Sequence, residues 1–313
     1  MTSPGFYRRL RRCADAHGAF AVLAIDHRGN LIGEMEHARA TPLPDDDARQ
    51  PVTPDDVIGL KAAILRHLLP EATAALIDPD YGLPALIHAE SDTRLPSVGL
   101  LAPLEVTDYG RKTQSMIPDW DVGKLVRAGF DGAKLLMYIH PTEPDFDAKR
   151  QLIDATIEQC QAHAVPLFFE PIIQSPDPEH PLTPDDKAAA IIAIARFFST
   201  RGIDVLKLEY PGEAALSALN DACAVPWTLL SGGVPFETFM QQAAAACMAG
   251  ASGVIAGRAI WGEAVVLEGD ARDHFLATTA RERMARIAAL CRALGQSHAT
   301  RRLWESVGVG WYR

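Results

Sequence analysis

Three charged residues stand inside apolar segments of this chain, where a charge is costly unless it has a partner or a purpose. Lys134 lies in GAKLLMY, Glu170 in LFFEP and Lys207 in VLKLE. A buried lysine beside a second cation has a lowered pKa, so its amine becomes neutral and can attack a carbonyl carbon. A nearby carboxylate can carry the protons that this addition and a later bond cleavage require. The three residue types therefore predict Schiff-base chemistry on a lysine.

The order of residues around Lys207 predicts which way its side chain points. Side chains alternate along a strand, so Lys207 and Glu209 share one face while Leu206 and Leu208 share the other. The leucine face suits packing against helices, which leaves the charged face toward an interior. The alternative is a lysine–glutamate ion pair that only fixes the strand register. Asp26, at the end of another apolar run, adds to the charged set and favours catalysis.

The elements that must position these residues form a repeating pattern of short apolar runs and longer amphipathic stretches. The predicted strands are Phe20–Ile25, Ala72–Ile77, Ser97–Ala102, Gly132–Ile139, Pro166–Ile172, Val205–Tyr210, Trp227–Ser231 and Gly253–Gly257. The predicted helices are Pro54–Leu69, Asp121–Ala128, Asp145–Ala164, Pro184–Thr200, Gly212–Ala222, Phe236–Ala249 and Asp270–Leu294. Alternation continued to eight strands predicts the α/β class and a single (β/α)8 TIM barrel over residues 1–313.

Some connections in this pattern have their own signals. Thr53 and Thr183 each precede a proline at the first helical position, which marks a helix start. The proline- and aspartate-rich stretch Ala38–Pro54 and the stretch Gln174–Pro184 are predicted to be loops between a strand and a helix. Between the second and third strands, Asp78–Pro96 shows no helical pattern and is predicted to be irregular.

The last two predicted strands end in glycine-containing turns. Ser231, Gly232 and Gly233 lie at the end of the seventh strand, and Ala256, Gly257 and Arg258 lie at the end of the eighth. In barrels of this kind the loops after these two strands often bind phosphate through backbone N–H groups, which glycine allows to approach closely. Arg258 could add a charge-assisted contact. Read singly, each motif is also an ordinary turn, but the pair at the two expected strand ends predicts a phosphate site.

Composition limits the partners and the compartment. With 30 basic and 40 acidic residues the net charge is −10, which disfavours nucleic acid or an anionic membrane as the main partner. No long apolar run that would serve as a signal or membrane segment occurs in the sequence. The cysteine count of five is odd and contains no CxxC pair, so reduced thiols in the cytoplasm are expected.

Seven segments in this order resemble the class I tagatose-1,6-bisphosphate aldolase family and its relative, sulfofructosephosphate aldolase. The resemblance covers about Phe20 to Ala264. The segments are Leu23–Gly29 (LAIDHRG), Asp78–Ala85 (DPDYGLPA), Gly132–Tyr138 (GAKLLMY), Phe168–Ile172 (FFEPI), Asp204–Pro211 (DVLKLEYP), Leu229–Val234 (LLSGGV) and Gly253–Trp261 (GVIAGRAIW).

The resemblance implies roles for the catalytic candidates. Lys207 would be the Schiff-base lysine, and Lys134 a second lysine that tunes it and contacts substrate hydroxyls. Glu170 would transfer protons, and Asp26 would bind a hydroxyl near the scissile bond. The family works without a metal or another cofactor.

The resemblance also implies a substrate. The phosphate of a dihydroxyacetone phosphate half would lie at the two glycine turns, which comprise Ser231, Gly232, Gly257 and Arg258. The expected substrate is a small sugar phosphate such as tagatose 1,6-bisphosphate.

One position departs from the family pattern. The tagatose enzymes usually read DQRG where this chain has Asp26, His27, Arg28 and Gly29. His27 and Arg28 are expected at the mouth of the site, so His27 could change which substrate end is recognised. A DHRG-like pattern also resembles the aldolase-like domain of inositol breakdown, whose substrate is a deoxy-keto-gluconate phosphate. That substrate and sulfofructose phosphate remain alternatives.

Two rival functions and one segment stay open. A metal-dependent aldolase would need a histidine cluster; His88, Glu90 and Asp92 are close in sequence but lack ligand spacing, and His140 has no obvious partner. A non-catalytic sugar-phosphate sensor on the same fold would have no need of a lysine nucleophile and proton shuttle. The aromatic C-terminus from Trp304 is expected to pack on the barrel or on a neighbouring subunit of a homo-oligomer, or to form a flap that carries specificity.

Overall fold

The computed structural model describes residues 3–40, 51–92, 94–108 and 110–301. The strands in these residues are β1 (Phe20–Ala24), β2 (Ala74–Leu76), β3 (Gly99–Pro103), β4 (Glu105–Asp108), β5 (Thr113–Met116), β6 (Gly132–Ile139), β7 (Leu167–Ile173), β8 (Val205–Leu208), β9 (Trp227–Leu230) and β10 (Gly253–Ala256). Eight of them are parallel and close a barrel in the order β1-β10-β9-β8-β7-β6-β3-β2. This confirms the predicted TIM barrel, and each predicted strand lies within two residues of an observed one at both ends.

Most of the helices surround the barrel and pack their apolar sides on its outer face, whereas α1 lies across one end. In the described residues they are α1 (Pro4–Arg12), α2 (Gly29–Ala40), α3 (Pro54–Leu68), α4 (Gly82–Asp92), α5 (Val122–Arg127), α6 (Phe146–Ala162), α7 (Pro184–Ser199), α8 (Leu216–Ala222), α9 (Phe236–Ala249), α10 (Arg258–Trp261), α11 (Gly269–Phe275) and α12 (Arg281–Leu294). Thr53 and Thr183 cap α3 and α7 as predicted, each accepting the N–H of the aspartate at the third helical position. The predicted tail helix is α11 and α12 joined by a π-helical turn, Leu276–Ala280.

One local prediction was wrong, because the segment after β2 contains a helix rather than an irregular link. Asp78 folds the chain back by accepting the N–H groups of Asp80 and Tyr81 at 3.1 and 2.8 Å. Helix α4 then begins at Gly82 and packs Ala85 and Ala89 into the core shared with α3. It lacks a Ser/Thr/Asp/Asn cap directly before it and carries glycine and proline in its first turn, so its start has no sequence signal.

Helix α1 closes the amino-terminal end of the barrel. Its Phe6 and Leu10 join an interior cluster with Phe20, Leu101 and Phe168, side chains that point inward from the strands. The chain leaving α1 passes so close to Gly99 that a Cβ there would lie 2.7 Å from the carbonyl oxygen of Arg12. This end of the barrel is therefore a packed apolar plug.

The antiparallel hairpin of β4 and β5 stands over the opposite, carboxyl-terminal end. It follows β3 directly, and its Gln114 accepts the N–H of Tyr138 at 3.1 Å and lies 2.7 Å from the sulfur of Met137. Both partners belong to β6, so the hairpin is fixed to the barrel wall.

Two expectations fall partly outside the described residues. The loop predicted from Ala38 begins later than expected, since α2 extends to Ala40, and residues 41–50 lie outside the described part. The aromatic C-terminus from residue 302 also lies outside it, so its role and the single domain over residues 1–313 stay predictions. In the residues described, no helix has the length and apolar character needed to cross a membrane.

Candidate active site

Lys134 is the centre of a buried charged cluster. Its Nζ lies 2.6 Å from Oε1 of Glu105, 3.1 Å from Oδ2 of Asp26 and 3.1 Å from Oε2 of Glu170. The side chain of Lys134 is only 2% exposed. An ammonium group surrounded by three carboxylates in this way is compensated for its loss of water.

Glu170 joins this cluster to Lys207. Its Oε1 lies 2.8 Å from Nζ of Lys207, while its Oε2 faces Lys134. One carboxylate therefore contacts both lysines, and both lysine side chains are less than a tenth exposed. Lys134, Glu170 and Lys207 thus meet in one interior, and the carboxylate of Glu170 lies at ion-pair distance from both amines, although its Oε2 accepts no hydrogen bond from the described residues.

The strand register explains how three separate strands bring these groups together. Lys134 on β6 pairs with Phe168 on β7, and Phe168 pairs in turn with Val205 on β8. Glu170 and Lys207 each come two residues later, so they occupy the same level, one inward-facing position above Lys134. The long side chain of Lys134 reaches up to that level.

Glu105 is a member of the cluster that the sequence did not reveal. It is 1% exposed. Its pKa lies above the usual value because burial, which raises the pKa, outweighs the charge of Lys134, which lowers it. Its Oε2 is buried without a hydrogen-bond partner among the described residues. The available signal was a carboxylate two residues beyond Pro103, where the third strand ends, but the predicted strand ended at Ala102.

Asp26 and His27 face the cavity from the end of β1. Burial favours the neutral form of Asp26, but Lys134 and Lys207 outweigh it and hold the pKa of Asp26 below its usual range. Burial lowers the pKa of His27 to about 3, so the imidazole is neutral near neutral pH. The His27 ring stands edge-on to Trp261, with 5.5 Å between ring centroids.

The ends of β9 and β10 line the other side of the same cavity, whose volume is about 200 Å³. Gly232 and Gly233 adopt φ values of 57° and 77°, a conformation that favours glycine. A Cβ on Gly257 would lie 2.5 Å from the carbonyl oxygen of Ala24, so only glycine fits there. Ser231 and Arg258 complete this wall.

The chain from residue 20 to residue 263 matches the model of a family described as DeoC/LacD family aldolase. The chain belongs to this family of aldolases. Its activity is therefore that of a carbon–carbon lyase, as the seven sequence segments predicted.

Curated relatives carry the name tagatose 1,6-diphosphate aldolase. One from Listeria monocytogenes is 30% identical over 317 residues, which span 89% of this chain and 89% of the relative. One from Streptococcus mutans is 30% identical over 83% of this chain and 84% of its own length. A third, from Enterococcus faecalis, is 29% identical over 83% and 85%.

Solved structures share the fold of this aldolase at lower identity. A Schiff-base-forming fructose-1,6-bisphosphate aldolase superposes with a TM-score of 0.61 at 16% identity, over 91% of this chain and 99% of the other. A fructose-bisphosphate aldolase from Slackia heliotrinireducens gives a TM-score of 0.63 at 13% identity, over 92% and 90%. These likenesses concern the barrel architecture.

Arg28 is the predicted site residue that does not line the cavity of the aldolase. Its Nη1 lies 3.1 Å from Oδ2 of Asp80, and its Nη2 donates to the backbone oxygen of Glu105. Arg28 therefore ties the start of the hairpin to the loop after β2. Beside that loop, Lys61 and Asp78 form an ion pair in which both side chains are fully buried.

The residues considered for a metal site are dispersed. His88 and Glu90 lie on α4, while His140 follows β6 and contacts the hydroxyl of Thr142 at 3.0 Å. Over the described ranges, no three His, Cys, Asp or Glu side chains converge in a way that could hold a metal ion.

Proposed function

We propose that this aldolase cleaves a ketose phosphate through a Schiff base on Lys207, releasing dihydroxyacetone phosphate and an aldehyde. The observation that supports it best is the Glu170 carboxylate, whose two oxygens contact Lys207 at 2.8 Å and Lys134 at 3.1 Å. An imine-forming lysine needs a group that removes and returns protons at its nitrogen and at the departing oxygen. Glu170 is placed to serve as that group, because its carboxylate contacts the lysine nitrogen and faces the cavity.

The first half of the reaction forms the imine. Glu170 first takes a proton from the ammonium group of Lys207, which lies 2.8 Å away. The resulting amine adds to the C2 carbonyl of the open-chain sugar, and a proton moves from nitrogen to the new C2 oxygen. Glu170 protonates that hydroxyl, which leaves as water, and the nitrogen lone pair forms the C2=N iminium. The positive charge of Lys134 stands beside the departing oxygen and is itself held by the three carboxylates.

The second half breaks the C3–C4 bond. Glu170, now ionised, accepts the proton of the C4 hydroxyl, the aldehyde leaves, and the electron pair of the bond moves into the iminium as an enamine. Asp26 stays ionised and accepts a hydrogen bond from a substrate hydroxyl near that bond. Protonation at C3 and hydrolysis of the imine then release dihydroxyacetone phosphate and restore Lys207.

The phosphate beside C1 would lie against the ends of β9 and β10. Ser231, Gly232, Gly257 and Arg258 line the cavity there, and the glycines let the backbone approach the ligand. Arg258 is held at 3.2 Å by Glu34 and can turn its remaining N–H groups to a phosphate. The uncharged His27 would border this end of the substrate, because its ring carbon would lie 3.1 Å from a Cβ on Gly257.

Glu105 acts through Lys134 in this scheme. It is the closest of the three carboxylates, at 2.6 Å, and it does not contact Lys207 among the described atoms. It holds the ammonium group of Lys134 in place while Asp26 and Glu170 exchange their contacts with Lys134 for contacts with substrate. Glu105 is therefore a positioning residue.

Tagatose 1,6-bisphosphate is the substrate we propose, since that sugar appears in the names of relatives that share 29–30% identity with most of this chain. Sulfofructose phosphate and a deoxy-keto-gluconate phosphate share the same ketose-phosphate half and remain alternatives. A sensor that only binds a sugar phosphate would not need the contacts between Glu170 and two lysines.

We also propose that the enzyme works in the cytoplasm. All five cysteines are buried free thiols, which suits a reducing compartment. A homo-oligomer stays a prediction.

Borohydride trapping tests the mechanism. The protein is incubated with dihydroxyacetone phosphate, reduced with borohydride, digested and examined by mass spectrometry. We expect a stable adduct on Lys207 that disappears in Lys207→Ala, together with a loss of cleavage of roughly 10⁴-fold or more. Lys124→Ala, which removes an exposed lysine of α5, is the matched control and should leave both unchanged. An adduct on another lysine, or retained turnover in Lys207→Ala, would contradict the assignment.

A further inference from the structure

A second cleft opens beside the catalytic cavity and shares a wall with it. Its volume is about 820 Å³, against about 200 Å³ for the cavity, and the side chain of Tyr138 lines both. A second link runs through Lys187, which lines the cleft and lies 2.7 Å from Glu209 of the cavity wall. A molecule bound at Lys207 that is longer than the cavity would therefore extend past Tyr138.

The cleft carries more positive than negative side chains, in a protein whose net charge is −10. Its basic residues are Arg111, Lys112, Lys149 and Lys187, and its acidic residues are Glu143 and Asp145. The excess of basic residues makes the cleft a candidate site for an anion.

The four cations differ in how far protein carboxylates already engage them. Lys149 lies 2.8 Å from Glu143 and 3.2 Å from Asp145, and Lys187 is held by Glu209. By contrast, the guanidinium of Arg111 is 86% exposed and its carboxylate partner, Asp108, lies 3.8 Å away. Lys112 makes no ion pair with any residue of the described part. The two cations available to a ligand are therefore neighbours on the turn of the β4–β5 hairpin.

The β4–β5 hairpin that carries this turn is held against the barrel wall by contacts with β6. The contacts of Gln114 with Met137 and Tyr138 fix the hairpin to the end of β6. The N–H of Arg111 donates to Oδ1 of Asp108 at 3.0 Å. Lys112 takes a left-handed φ of 53°, which closes the turn. The two cations are thus presented from a fixed wall of the cleft.

The order of strands gives the direction in which the substrate must run. The phosphate wall is at β9 and β10, Lys207 is on β8, and β7 and β6 follow on the other side of it. A substrate whose phosphate lies at that wall and whose C2 lies at Lys207 would therefore extend its remaining atoms toward Tyr138 and the cleft.

We propose that Arg111 and Lys112 bind the terminal phosphate of the aldehyde half. This inference rests on the proposed function, because it uses Lys207 to orient the substrate. Two adjacent cations match the charge of a phosphate dianion better than that of a sulfonate or a carboxylate. The cleft would then select ketose bisphosphates over ketose 1-phosphates.

The test compares two substrates on one variant. Arg111→Ala combined with Lys112→Gly removes both charges, and glycine suits the left-handed φ at position 112, so the turn is preserved. With tagatose 1,6-bisphosphate, kcat/KM should fall roughly 10- to 100-fold, the loss expected for charge-assisted contacts. With tagatose 1-phosphate, which lacks the second phosphate, kcat/KM should change less than about twofold.

Two controls separate this inference from the proposed function. Arg8→Ala removes an exposed cation of α1 at the opposite end of the barrel and should affect neither substrate. Trapping of dihydroxyacetone phosphate on Lys207 should be equal in the double variant and the unmodified protein. Equal losses on both substrates, or no loss on the bisphosphate, would overturn the assignment of the cleft while the adduct on Lys207 persists. Absence of the adduct in the unmodified protein would instead overturn the proposed function.

Discussion

The two ends of the barrel interior use the same strands for opposite purposes. On β7 the inward-facing Phe168 belongs to the apolar plug, and two residues later Glu170 belongs to the charged cluster. On β8 the same step leads from Val205 to Lys207. A spacing of two residues, which keeps a side chain on one face, therefore separates the stabilising layer from the reactive one.

The two ends differ in the kind of side chain that they bury, which is apolar at the amino-terminal end and charged at the carboxyl-terminal end. The amino-terminal end excludes water with side chains such as Phe20, which is fully buried and stands edge-on to Phe168 at 5.9 Å. The carboxyl-terminal end buries two lysines and three carboxylates, whose loss of water their mutual contacts must offset. Substitutions at the first end should change stability, and substitutions at the second should change the reaction.

Among these substitutions, Glu170→Gln should have the largest effect on the reaction. The amide keeps the size of the carboxylate but cannot accept a proton, so kcat should fall roughly 10²- to 10⁴-fold while KM changes only a few-fold. Steady-state cleavage of tagatose 1,6-bisphosphate would measure this. An effect confined to KM would show that Glu170 only binds substrate.

Phe20→Ala should lower the stability of the protein and leave the reaction nearly unchanged. The cavity left in the plug should lower the free energy of unfolding by about 3–5 kcal/mol, as measured by urea denaturation. Because Phe20 lies at the far end of β1 from Asp26, kcat/KM of the folded enzyme should stay within about twofold of the original. A tenfold loss of activity in fully folded protein would mean that the two ends are coupled.

Glu105→Gln should move stability and activity in opposite directions by smaller amounts. Burial raises the pKa of Glu105 above its ordinary 4.5, so the folded state disfavours the ionised form. Stability is therefore lost as pH rises from 4.5 through the folded pKa, and the amide avoids that loss.

We expect Glu105→Gln to be more stable than the original protein at pH 7, and this gain should shrink and disappear as the pH falls below the ordinary pKa of 4.5. Its kcat should fall about tenfold with KM nearly unchanged, because Lys134 loses its closest anion. Urea denaturation at neutral and acidic pH and steady-state kinetics would measure these effects. A variant that loses stability at pH 7 would show that Glu105 serves the fold, and unchanged kcat would remove its role as a positioning residue.

The sequence alone predicted the barrel, and it singled out three charged residues that the structure brings together. The eight apolar runs indicated the parallel strands because strands buried on both sides must be nearly continuous in apolar residues. Lys134, Glu170 and Lys207 were recognisable for the same reason, since a charge is conspicuous inside such a run. The resemblance to an aldolase family, carried by seven short segments, was confirmed by the family match.

The tertiary structure decided what depends on contacts between distant segments. Glu105 stands in a polar hairpin with no periodic signal, and only the closure of that hairpin on β6 brings it to Lys134. Helix α4 has no Ser, Thr, Asp or Asn directly before it and packs on α3, so its sequence did not distinguish it from a loop. Arg28 looked like a site residue by position, but its contacts with Asp80 and Glu105 direct it away from the cavity. Burial patterns are local and can be read along the chain, whereas the partner of a polar side chain is set by the register and closure of the whole barrel.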